Sequence, residues 1–212
     1  MQLMERQNID RAEGLEKALS AIFGPGKTTR KLSQVLGYGS LRGTVSYQEI
    51  RQIIKDDPGD ILLLAEGWRL LLPVRTKKSS SWEDRLLLLK EGEIYEIPNI
   101  IRSLVKHALH KRTWSPEKAI IELFKELGDP GWGRIPGMVM SIVEEAIDHK
   151  ITGNQINKIC LQLGLSNRVD GLIAELKAAG IISPKLSSMP EVTRAGSPIY
   201  ELNPSVAIGL SG

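Results

Sequence analysis

Residues 21–28 read Ala-Ile-Phe-Gly-Pro-Gly-Lys-Thr, one substitution away from the phosphate-binding loop Gly-x-x-x-x-Gly-Lys-Ser/Thr. That loop cradles phosphates only when a buried strand precedes it and a helix opens behind it. Here Leu15, Ala18, Leu19 and Ile22 recur at helical spacing, so an amphipathic helix over 10–22 comes first. No apolar strand ending in Asp follows, and Lys27, Arg30 and Lys31 read as a basic surface. His107 and His110 stand at i, i+3, which could hold a metal, but no cysteine or third histidine joins them. Cys160 falls in an apolar helical stripe, the setting of an inert core thiol. With three histidines, one cysteine and scattered carboxylates, no nucleophile–base–orienter set emerges. The expectation is a binding protein, not an enzyme, with no cofactor and no metal.

The most concentrated chemistry is basic. Residues 99–111 form an amphipathic helix with Ile101, Leu104, Val105 and Ala108 on its apolar side. Its polar side carries Arg102, Lys106, His107, His110 and Lys111, with Arg112 just beyond and no acid among them. Such a face suits a row of phosphates and a steep salt dependence. The alternative is a solvated face beside Glu93 and Glu96. Charge elsewhere is uneven: +3 over 1–45, −2 over 46–100, +3 over 101–137 and −1 over 138–212, within a total of +3.

One cysteine rules out an intrachain disulfide and fits a reducing, cytoplasmic location. Apolar runs such as 61–65 and 86–89 are far too short to span a bilayer, and no basic-then-apolar leader opens the chain, so no membrane partner is expected.

Punctuation places the remaining elements. Gly24-Pro25-Gly26 ends the first helix, a second runs from Thr28 to Leu36, and 37–44, with three glycines, reads as a loop. Ser46 and Glu49 make a capping box for a third helix. Asp57-Pro58 opens a short, mostly apolar fourth, ending at Gly67. Strands are expected over 68–74, 85–90 and 93–97, with a polar loop over 75–84. After the basic helix, Ser115-Pro116-Glu117 starts another, to about Leu127. Residues 128–137 (GDPGWGRIPG) read as a linker or bend, with Trp132 either a core plug or an exposed anchor for a partner.

The C-terminal third carries the clearest pattern. A helix over 138–150 precedes one capped by Thr152, with Ile156, Ile159, Cys160 and Leu163 on one face. After the Gly164-Leu165 turn, Ser166 caps a third helix bearing Val169, Leu172, Ile173 and Leu176. Two strand-like runs, 181–186 and 197–203, flank a loop. The run Leu176-Lys177-Ala178-Ala179-Gly180-Ile181-Ile182 is similar to the Leu-x-x-x-Gly-x-Ile ending of the third helix in the winged helix-turn-helix superfamily. Residues 1–97 have a degenerate version of the same order. The resemblance implies a mainly α fold with small β-hairpin wings: tandem winged-helix-like domains at 1–97 and 138–205, joined by a basic helical linker at 98–137.

In DNA-binding members the third helix enters the major groove and the wing meets the backbone. The resemblance therefore puts Asn167 and Arg168 at base edges, Gln155 and Lys158 on the preceding helix, and Lys185 and Arg194 beside the wing. Solvated or packing roles for Asn167 and Arg168 stand against that. The face of the third helix opposite its apolar stripe holds Asn167, Gly171, Ala174 and Ala178, with Asp170 and Glu175 beside it. Two functions stay open: a DNA-binding transcriptional regulator on double-stranded DNA, or a winged-helix scaffold that binds protein as a homodimer or within an assembly.

Overall fold

The structure, a computed structural model, describes residues 2–77, 81–186 and 196–210. It is mainly helical, with two small antiparallel sheets of three strands each. Residues 1–75 and 87–115 form one compact unit; residues 76–86 and 116–212 form another. The basic helix of 99–111 thus belongs to the first unit and the helix after it to the second, where the sequence had suggested one linker.

In the first unit, α1 (Gln2–Phe23), α2 (Lys27–Ser40) and α5 (Asn99–Lys111) pack together. Leu15, Leu19, Leu32, Leu36, Ile101 and Leu104 are buried in this unit. Between α2 and α5 come β1 (Thr44–Ser46), α3 (Tyr47–Ile54), α4 (Gly59–Gly67), β2 (Leu72–Pro73) and β3 (Ile94–Glu96), in sheet order β1-β3-β2. The second unit has α6 (Pro116–Glu126), α7 (Ile135–Glu145), β4 (Lys150–Thr152), α8 (Gly153–Gln162), a 3-10 turn (Ser166–Arg168), α9 (Val169–Ala179), β5 (Ile182–Pro184), β6 (Ile199–Leu202) and α10 (Pro204–Ala207). Its sheet runs β4-β6-β5.

The same local chemistry builds both units. Ser46 and Thr152 each end a first strand and cap the next helix, in capping boxes completed by Glu49 and Gln155. Each central strand reads Ile-Tyr-Glu, and each tyrosine sits between an aliphatic residue and a proline: Val45–Tyr95–Pro73 and Ile151–Tyr200–Pro184. The prolines lie on edge strands, where a missing N–H costs no ladder bond. α4 and α9 each end in a left-handed residue followed by a six-residue closing bond, Leu70 N–H to Ala65 C=O and Ile181 N–H to Leu176 C=O. The left-handed residue is Gly180 in one unit and Arg69, φ 53°, in the other.

Several expectations fail for identifiable reasons. α2 does not stop before its glycines but runs through Gly37 and Gly39 to Ser40. Gly39 allows close approach: a Cβ there would stand 2.8 Å from Ile97 Cδ1 and 3.4 Å from Val45 Cβ. We therefore expect Gly39→Val to destabilise the first unit by about 1–3 kcal/mol in denaturant unfolding, the cost of overpacking.

Residues 85–90 form no strand; the Leu86 and Leu88 carbonyls accept from Thr76 Oγ1 and Tyr95 Oη instead. The predicted 68–74 strand shrinks to Leu72–Pro73. The 138–150 helix stops at Glu145, because Asp148 and His149 both take positive φ and close a tight Ile147–Lys150 hairpin into β4. Ser166 caps no helix: the 3-10 turn intervenes, and α9 starts without a side-chain cap. The stretch 128–137 is no free linker: Asp129 is buried and α7 begins at Ile135.

Candidate interaction surfaces

The start of α9, where the winged-helix resemblance locates base-reading groups, is held by an internal ion cluster. Arg168 donates from both terminal nitrogens to Asp129, Nη1 to Oδ1 at 2.9 Å and Nη2 to Oδ2 at 2.5 Å. Glu175, two turns into α9, lies 3.4 Å from the same guanidinium. Asp129 also accepts the Gly131 N–H, as a turn-closing Asp does. Its side chain is only 4% exposed. The Arg168 guanidinium, aided by the Gly131 N–H, holds the Asp129 carboxyl at about 2. Burial, then the neighbouring Asp129, pushes Glu175 up, while Asp129 raises Arg168. Both fork directions of Arg168 are thereby engaged on carboxylates, and it serves as the clasp between the 129–131 turn and α9.

Other sequence-selected residues are similarly engaged. Gln155 Oε1 accepts the Thr152 N–H at 2.9 Å in its capping box. Lys185 is paired with Glu83. Arg102 Nε donates to the Ser40 carbonyl at 2.8 Å. Asn167 and Lys158 are exposed. Arg194 lies outside the described residues. Lys106, His110, Lys111 and Arg112 are exposed on and just past α5, and His107 is half-buried. His110 and Lys111 occupy the last turn, where a positive charge also suits the helix dipole. Trp132 is not a sealed plug: it is 36% exposed, with Lys125 Nζ 4.0 Å from its ring centroid.

The solvent face of α9 carries Asp170, Gly171, Ala174, Lys177 and Ala178. A Cβ added at Gly171 would meet nothing within 4 Å. The corresponding helix of the first unit, α4, exposes Asp60, Leu63 and Gly67. Neither face has the cluster of cations a phosphate backbone needs. By unit, the first holds sixteen Lys and Arg against twelve Asp and Glu, net +4; the second holds twelve against thirteen, net −1. The unit with the clearer sequence pattern is therefore the less basic.

Sequence reasoning passed over Asp129 and Trp82, and it read Glu175 as a charge flanking the α9 face, not as a partner of Arg168. The signals were there: Asp-Pro-Gly is a turn with an acceptor at its head, and a lone tryptophan in the Ser-Ser-Ser-Trp-Glu-Asp run has no solvation reason to be there. Among the described residues no helix is long and apolar enough to cross a membrane. No curated protein and no solved structure matches the chain. A family model does match, over residues 13–210, and the chain belongs to that family, whose description states no activity.

Proposed function

We propose that this chain is a tandem winged-helix protein that works by binding protein, with its third helices lying against a partner surface instead of reading base edges. The order helix, strand, helix, helix, strand, strand recurs in both units with the same sheet order, which supports the winged-helix reading. The observation that carries the function is the face of α9. It is small, near-neutral and open, and Arg168 at its head is spent on Asp129 and Glu175. Small residues let another backbone approach closely, whereas Asp170 on that face would repel phosphate. A single buried cysteine, Cys160, outside any disulfide fits a cytoplasmic setting.

A second copy of this chain is the first occupant to test. Light scattering after size exclusion is expected to give a dimer mass for the native chain and a monomer mass for Gly171→Arg. A native monomer across the accessible concentration range removes the homodimer, and an unchanged dimer in Gly171→Arg removes α9 as its seat.

One observation favours duplex DNA, and with it the regulator reading: the acid-free exposed run Lys106, His110, Lys111 and Arg112. Binding by that route would ignore sequence and weaken linearly with log salt. Fluorescence anisotropy on unrelated duplexes at two salt concentrations separates the readings. Salt-sensitive binding lost in Lys106→Ala with Lys111→Ala supports DNA, and no binding at low salt excludes it.

A further inference from the structure

The chain leaves the first unit after Arg75 and rejoins it at Leu87. Within that excursion Ser81, Trp82 and Arg85 are buried, although their neighbours are polar. The Trp82 N–H donates to Ser183 Oγ at 3.0 Å, and Glu83 pairs with Lys185. Ser183 and Lys185 are two residues apart along β5 and its continuation, so their side chains share one face of the second sheet. Ile199, whose carbonyl accepts the Lys185 N–H, faces the same way. The opposite face holds Ile182, Tyr200 and Leu202.

The first sheet offers a comparison, since Ile94 and Ile199 occupy the same place in the two Ile-Tyr-Glu strands. Ile94 is 40% exposed and Ile199 is 7% exposed. Like registers thus leave this one position open in the first sheet and covered in the second.

We infer that the outer face of the β4-β6-β5 sheet is a peptide-binding site for an aromatic residue followed by an acid, occupied in cis by Trp82 and Glu83. The aromatic ring supplies the buried area, on the order of 150–250 Å² for a tryptophan. The Ser183 hydroxyl fixes the peptide backbone, and Lys185 selects the acid. Tethering raises the segment's effective concentration to roughly millimolar, which keeps the site filled in the native chain. This surface is separate from the α9 face and does not depend on the protein-binding role proposed for it.

The test uses the full chain carrying Trp82→Ala and Glu83→Ala, and a fluorescein-labelled peptide of residues 81–86 (SWEDRL). Anisotropy is expected to show saturable binding to this variant, about tenfold or more tighter than to the native chain. The same peptide with Trp82→Ala should not bind, and adding Lys185→Glu to the variant should weaken binding about tenfold. No peptide binding by a variant whose circular dichroism and unfolding midpoint match the native chain overturns the proposal. If that variant does not fold, a charge swap decides. Either Glu83→Lys or Lys185→Glu alone should accelerate proteolysis within 76–86, and the two together should restore resistance. A swap as sensitive as the single variants overturns the proposal equally.

Discussion

Arg168→Ala is expected to lower the stability of the second unit by about 2–4 kcal/mol at neutral pH. Removing the guanidinium leaves Asp129 charged and buried beside the raised carboxyl of Glu175. Breaking a buried pair from one side costs about 3–5 kcal/mol, and Arg168's own 27% exposure trims that figure. Asn167→Ala, one residue earlier and exposed, should stay within about 0.5 kcal/mol. Chemical denaturation of both variants measures the contrast; similar small effects would mean the cluster contributes no stability. pH supplies a second reading. Asp129 sits at about 2 in the folded chain, below the ~3.9 of an unfolded aspartate. Its contribution is therefore complete above about pH 4 and is lost as pH falls toward about 2. Glu175 acts with the opposite sign: its carboxyl is raised, so its part favours the fold at lower pH and fades as pH rises through its folded value. The gap between native and Arg168→Ala unfolding free energies should accordingly narrow between pH 4 and pH 2.

Asn203→Ala is expected to cost about 2–4 kcal/mol, because one fully buried side chain closes two elements. Its Nδ2 donates to the Gly180 carbonyl at 3.0 Å, behind the end of α9, and its Oδ1 accepts the Ser205 N–H at 3.0 Å as the cap of α10. An orphaned buried carbonyl costs about 1–3 kcal/mol and a lost cap about 1 kcal/mol. Asn203→Asp keeps the acceptor for the cap, but at neutral pH it buries a carboxylate against the Gly180 carbonyl. It should therefore be no more stable than Asn203→Ala there and should recover only as pH falls through the carboxylate range. Urea unfolding at neutral and acid pH resolves the two, and an Asn203→Ala variant as stable as the native chain would mean that neither bond contributes.

The two variants bear on different kinds of legibility. Elements whose signals are local could be read in advance. The Ser46–Glu49 box, the α5 bounds and the β5–β6 hairpin stand where spacing and caps placed them, because a capping residue or an apolar stripe acts within one or two turns. The likeness of the two halves was harder to see, since its markers are chemically disguised. Arg69 adopts at the end of α4 the left-handed conformation that Gly180 adopts at the end of α9, held by Glu66 at 2.5 Å. A search for the glycine passes over it.

The candidate site divides the same way. Composition and helical period alone determined that α5 exposes Lys106, His110 and Lys111 without an acid, and that α9 turns Gly171, Ala174 and Ala178 outward, since a helix sorts its own faces. Only tertiary structure decided which charges remain available. Arg168 meets Asp129 across 39 residues and Lys185 meets Glu83 across 102, and nothing local announces either partner. A cation's role depends on whether a carboxylate is within reach, and that distance exists only after the chain has folded.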